Sequence, residues 1–272
     1  MRYISRRSMH EPASRRWFWI RVSFLLAVLA IVALYAWNDA RRRRERNEWN
    51  RTLEIALVVV RDGPVSEPAV SALRSQTREL ERVLAAQLAR YRGAPARPFS
   101  FVVFGPVDRV EPLPEAPDGL MAAAKYAWQL RAFTADVDER AGVPTRGFDA
   151  RVYLVVRPPS QRGFVEGMSE HGGRVGVALA ELDETTIPLT LFVAAHELFH
   201  TLGANDRYDA AGRTLVPDGL AEPERVPLFP QRYAELMARN RPLAPDREVP
   251  PASLDELWVG ATTAREIGWL SP

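Results

Sequence analysis

Hydrophobic and polar positions alternate along this chain with two distinct periods. Residues 53–60 (LEIALVVV), apolar and rich in β-branched residues except at Glu54, read as a buried strand. Residues 68–91 then place Leu73, Leu80, Val83, Leu84 and Leu88 on one side at helical spacing, so a βα unit is expected. The pattern repeats: residues 99–104 (FSFVVF) predict a strand, 118–139 a helix and 150–156 (ARVYLVV) a third strand. Such alternation implies an α/β sheet with helices packed on it. In residues 174–182, Val175, Val177 and Leu179 alternate with Arg174, Gly176 and Ala178, as in a half-exposed strand at a sheet edge. Thr185, Thr186 and Pro188 then mark a helix start, with a hydroxyl available to cap and Pro tolerated in the first turn. Residues 189–202 are apolar almost throughout, which predicts a buried helix. The Pro-rich stretches 105–117 and 242–251 predict loops, and no internal repeat is present.

Ahead of this pattern, residues 22–37 (VSFLLAVLAIVALYAW) carry no charge. Residues 17–20 extend the run to the roughly 20 positions that a spanning helix needs. Arg21 lies one turn inside the end, where it can snorkel to the headgroups, and Trp17, Trp19, Tyr35 and Trp37 suit two aromatic belts. The alternatives are a buried core helix and a cleaved secretory signal. A cleaved signal would end in small residues, whereas this run ends in Leu34, Tyr35, Ala36 and Trp37 and soon meets Arg41, Arg42, Arg43 and Arg44. The reading is therefore a short basic tail (1–16), a single-pass anchor in the lipid bilayer (17–38), a basic juxtamembrane segment (39–51) and one soluble domain (52–272). Arginines on the two sides of the anchor nearly balance. A short tail before a large domain has the form of an exported signal anchor, so the soluble domain is expected on the extracytoplasmic side.

Charge sharpens this division. The isoelectric point near 9.1 would suit a nucleic-acid binder, but residues 1–51 hold a net +8 and the remainder a net −6. Basicity belongs to the anchor region, and nucleic acid is not an expected partner. The chain has no cysteine, which excludes disulfides, thiolate nucleophiles and thiolate metal sites. Any metal must be held by His, Asp or Glu, and the histidines are His10, His171, His196 and His200.

Two of these four sit inside the apolar helix, in LTLFVAAHELFHTLGAND. His196, Glu197 and His200 are its polar exceptions, and burying three such groups is costly unless they are paired or ligate a metal. His196 and His200 are four apart, so both imidazoles project from one face and can bind one ion. Glu197 points to the neighbouring side, where it can reach a water activated by that ion. The bland alternative is a pair of satisfied core histidines. His171 reads as a surface residue.

The run from His196 to Asp206 resembles the metzincin pattern HExxHxxGxxH, with Gly203 three and Asp206 six positions after His200. Asp206 stands where that family has a third histidine, a departure that resembles the snapalysin-like branch. The resemblance implies a zincin-like mixed α/β sheet with an active-site helix, and Zn2+ held by His196, His200 and Asp206, with Asp209 as a rival third ligand. It implies Glu197 as catalytic base, and a methionine-containing turn for which Met237 is the candidate. Met237 also fits an ordinary short helix over 231–239. Residues 253–269 would form the C-terminal helix. Tyr208 and Tyr233 are candidate transition-state stabilisers. The expected activity is zinc-dependent hydrolysis of peptide bonds, with a protein or peptide substrate lying along the edge strand near 174–182. The competing expectations are a membrane-tethered, non-catalytic zinc-binding or interaction domain that keeps the fold, and a protein in which metal only stabilises the domain.

Overall fold

A computed structural model describes residues 13–93, 95–110, 112–113, 119–160, 166–169 and 172–271. The tail up to residue 12 and His171 lie outside the described residues. The chain divides into two compact units, Met1–Glu45 and Arg46–Pro272.

The first unit is helical: α1 runs Ala13–Arg46, and within it Trp17–Asn38 is long and apolar enough to cross a membrane. Its large side chains, from Trp17 and Phe18 through Leu34 and Trp37, are exposed.

The second unit is a mixed α/β fold. Its sheet has the order β2-β1-β3-β5-β4, from strands β1 (Leu53–Arg61), β2 (Phe99–Asp108), β3 (Ala150–Arg157), β4 (Glu166–Ser169) and β5 (Val175–Glu181). All neighbours are parallel except β4, which runs antiparallel to β5. Both faces of the sheet are covered. Leu53, Ile55, Leu57 and Val59 of β1 pack with helices α2 (Glu67–Ala89) and α4 (Ile187–Leu202). The alternate residues Ala56, Val58 and Val60 pack with α3 (Leu120–Ala141) through Leu130, Phe133 and Val137. A strand buried on both sides has no polar face to show, which is why residues 53–60 lack alternation. α2 opens with Ser66 accepting from the Ala69 N–H and Pro68 in its first turn, and all five of its predicted apolar positions are buried.

The structure corrects several expectations. Val175–Glu181 lies between β3 and β4, so the sheet edge is Glu166–Ser169 instead. Four residues containing Gly167 leave too short a pattern to read as a strand. Of the loop expected over 105–117, residues 105–108 belong to β2, which continues through Gly105 to Asp108 across an irregularity opposite Val58 and Val60, and residues 111 and 114–117 lie outside the described residues. Gly105 has φ +80°, and a Cβ there would meet the Val59 carbonyl oxygen at 2.5 Å, so only glycine lets the strand pass. Residues 242–251 hold a hairpin, β7 (Arg241–Ala244) with β8 (Arg247–Val249). Residues 253–269 are not one helix. They form a 3₁₀ turn, a two-residue strand β9 (Leu257–Trp258) paired with β6 (Ala234–Glu235), and a short helix α5 (Ala261–Glu266). Residues 231–239 likewise hold β6 and a 3₁₀ turn, Leu236–Ala238.

Arg46, Asn47 and Trp49, in the stretch read as juxtamembrane, belong to the folded unit. Arg46 donates to the Gly172 and Gly173 carbonyls, and Asn47 Nδ2 donates to the carbonyl of Leu202, in the last turn of α4. Trp49 is buried against Phe99 and Trp269, and its Nε1–H donates to Ile267 O at 2.7 Å.

Candidate metal centre

The site is built on α4. Nearly all of this helix is buried, from Thr190 through Phe199, so its side chains are held in place by packing on every side. The hydroxyl of Thr186, at the N-cap, makes no capping bond to α4; it accepts from the Asp183 N–H, while Asp183 Oδ1 accepts from Thr185 and Thr186. At the other end, Gly203 takes φ +103° in the left-handed region, and its N–H closes on His200 O. That turn carries the chain out of the helix and back across its last turn. Asp206 is thereby brought beside both histidines.

Three ligand-type atoms converge there. His196 Nε2 and His200 Nε2 are 3.1 Å apart, and Asp206 Oδ1 lies 3.3 Å from the first and 3.2 Å from the second. The outer ring nitrogens decide the protonation. His196 Nδ1 lies 2.9 Å from Leu236 O, and His200 Nδ1 lies 2.9 Å from Ala204 O. A carbonyl only accepts, so both Nδ1 atoms carry a proton, and in the neutral rings that a metal would bind, both Nε2 atoms present lone pairs. Two imidazole lone pairs and a carboxylate oxygen then face one another at contact distance. A single added proton relieves at most part of this arrangement, whereas one cation at the centre satisfies all three. A tetrahedral ion bonded at roughly 2.0–2.1 Å separates its ligand atoms by about 3.3–3.4 Å, close to the triangle seen here. The residues present fit a metal ion.

Electrostatics agree. Without a cation, burial, the largest single influence, pushes the Asp206 carboxyl up, but hydrogen bonds that the imidazoles donate when Nε2 carries a proton outweigh it and hold it well below the usual carboxylate range. Burial likewise opposes a charged His200, and Asp206 with the charge of Glu197 reverses this, leaving the imidazole above its ordinary value. Such mutual stabilisation of opposite charge is what a cation in the site would take over.

Glu197 is 2% exposed, and its Oε1 lies 4.0 Å from His196 Nε2, beside the triangle and not in it. His196, Glu197 and His200 offer ligand atoms that all lie within 4.8 Å of one another. Tyr208 stacks on His196, with ring centroids 6.4 Å apart and planes at 24°, and its ring lies under the Arg239 guanidinium at 4.0 Å. Burial, then the charge of Asp206, pushes its phenol up to about 12. Met237 is fully buried in the turn Leu236–Ala238, the same turn that supplies the carbonyl to His196. Asp209 goes elsewhere: its carboxylate accepts from Ala211 N–H and from Arg213 and closes a surface turn. The Tyr233 ring is stacked on Trp258 at 4.8 Å, and Arg90 lies 3.3 Å over that indole.

Sequence reasoning passed over Glu235, Leu236 and Ala204. Backbone carbonyls leave no mark in a sequence. Glu235 does leave one, as a lone acid within the apolar run of YAELMA.

No family model matches the chain, and no curated protein matches it. Among solved structures, it is similar to catalytically inactive OgpA from Akkermansia muciniphila, crystallised with an O-glycopeptide substrate, at 14% identity and a TM-score of 0.28. The alignment covers 59% of this chain and spans half the length of that one.

Proposed function

We propose that this protein is a membrane-anchored, zinc-dependent endopeptidase of the metzincin type. The observation that carries the reading is the convergence of His196 Nε2, His200 Nε2 and Asp206 Oδ1 within 3.3 Å of one another, with both Nδ1 atoms facing backbone carbonyls. Two imidazoles and a carboxylate without thiolates suit Zn2+ with an open fourth position. Zinc in such a site lowers the pKa of water toward about 7 and polarises a substrate carbonyl. His196, His200 and Asp206 are the residues that would hold it.

Glu197 is the base in this reading. Its carboxylate takes a proton from the attacking water as the new C–O bond forms, then delivers it to the amide nitrogen, after which the C–N bond breaks and the amine departs. Tyr208 remains a phenol at neutral pH, since its pKa is about 12, and can donate to the developing oxyanion. Tyr233, stacked on Trp258, is the less favoured of the two stabilisers. A peptide would lie extended along β4, adding a strand to the open edge of the sheet. Residues 17–38 would anchor the enzyme in the bilayer, with the domain on the extracytoplasmic side.

Metal analysis of the purified chain tests this directly. Wild type is expected to hold close to one zinc, and His200→Ala and Asp206→Ala to lose most of it. A wild type that takes up no zinc after incubation with the metal would sink the reading.

A further inference from the structure

We infer that Glu235 is a positioning residue that fixes the His196 imidazole through the carbonyl of Leu236; the inference rests on the metal-site reading above. Glu235 has no exposed surface. A carboxylate so placed is costly to bury unless both oxygens are satisfied. Here they are, from two separate parts of the fold. Oε2 accepts from the Met237 N–H at 2.7 Å and the Ala238 N–H at 3.1 Å, the unpaired donors at the start of the 3₁₀ turn. Oε1 accepts from the Gly260 N–H at 3.1 Å and the Thr263 hydroxyl at 2.7 Å, at the start of α5.

One side chain therefore pins the turn Leu236–Ala238 to α5. The turn's first residue, Leu236, presents the oxygen that holds His196 Nδ1–H at 2.9 Å. That bond sets the tautomer and the ring angle, and so aims Nε2 at the other two ligand atoms. His200 is independent of this arrangement, because its Nδ1–H is held by Ala204 O, at the exit of its own helix. Without the carboxylate, the turn loses its two capped donors and its tie to α5, and the Leu236 oxygen is no longer fixed. The expected consequence falls on one histidine of the pair.

That asymmetry makes the idea testable in a way a general structural role is not. The full chain, purified in detergent with its histidines 15N-labelled, is examined metal-free by long-range nitrogen–proton correlation, and zinc affinity is measured by competition with a chromophoric chelator. E235A is expected to shift or exchange-broaden the His196 Nδ1–H signal while that of His200 stays in place, and to weaken zinc binding by about 10–100-fold. E235Q keeps one oxygen for the turn but loses an acceptor at Gly260. It should show the same change to a smaller degree, and it decides the matter if E235A does not fold. Unmoved His196 signals with zinc affinity within about twofold of wild type, or equal disturbance of both histidines, would overturn the inference. Absence of zinc from wild type overturns the peptidase reading separately, since the ring signals are read without metal.

Discussion

Glu197 and Gly203 show how single residues divide the work of the site. Glu197 is buried beside the triangle of His196, His200 and Asp206 but outside it, so in the proposed mechanism removing its charge should leave metal content unchanged and abolish proton transfer. For Glu197→Gln, zinc stoichiometry equal to wild type is expected, with hydrolysis of a peptide substrate falling about 10²–10⁴-fold. Loss of zinc in this variant would make Glu197 a ligand instead. Gly203 acts through the backbone. At φ +103° an alanine is strained by roughly 1–2 kcal/mol, so Gly203→Ala should lower stability in urea by that amount and weaken zinc binding as Asp206 is displaced. Asp206→Asn should lose zinc, while Asp209→Asn, whose partner is Arg213, should retain it. At this scale the sequence was informative for a definite reason. Histidine and glutamate inside an apolar helix need a compensating partner, so their spacing alone points to shared chemistry. Which of two nearby aspartates turns inward depends on the course of the loop after Gly203, and that is a tertiary property.

Elements buried on both faces were legible, and elements defined by partners were not. β1 and α4 announce themselves as apolar runs, and α2 as a stripe, because burial alone dictates their composition. β4, β6 and β9 are two to four residues long and exist only through pairing, so no period marks them. The stretch before β1 is a similar case. Trp49 is 2% exposed and packs on Trp269 and Phe99, yet it stands among charged residues that look like a linker. Trp49→Ala should cost about 3–5 kcal/mol in urea denaturation. A cost below 1 kcal/mol would show that the segment is dispensable. The neighbouring Arg51 makes two 2.7 Å hydrogen bonds to Asp149, whose carboxylate also accepts from the Glu54 N–H. Burial raises the Asp149 carboxyl, but these bonds prevail and lower it below its ordinary value of 3.8. The folded state thus binds the proton less readily than the unfolded one. This contribution is fully present above the ordinary Asp value and is lost as pH falls through the lower folded value. Asp149→Asn should flatten the acid limb of the stability curve and leave its slope near neutral pH unchanged, as followed by urea midpoints across pH.

The whole molecule combines two units of opposite electrical character. Residues 46–272 carry a net −5, whereas the full chain carries +2, so its basic isoelectric point is set by the arginines around the apolar helix. A cluster of basic side chains next to a spanning helix is attracted to anionic headgroups, an effect that falls off within a Debye length. If residues 17–38 span a bilayer as proposed, the same charges favour its surface, while the net −5 of residues 46–272 gives no general attraction to polyanions. That unit has its own two-sided sheet, and the groups that close it at the amino end begin at Arg46. Residues 46–272 produced alone are accordingly expected to be soluble and monodisperse, to pass through a cation exchanger at neutral pH, and to bind zinc with the affinity of the full chain. The full chain should instead remain with the membrane pellet after alkaline carbonate washing and be released by detergent. A fragment beginning at residue 53 lacks Arg46, Asn47 and Trp49, so it should aggregate or melt at clearly lower temperature. If the two fragments behaved alike, the residues between 46 and 52 would be a tether only. If the full chain were freed by carbonate, residues 17–38 would not span a bilayer, and the proposed enzyme would have to be a soluble one.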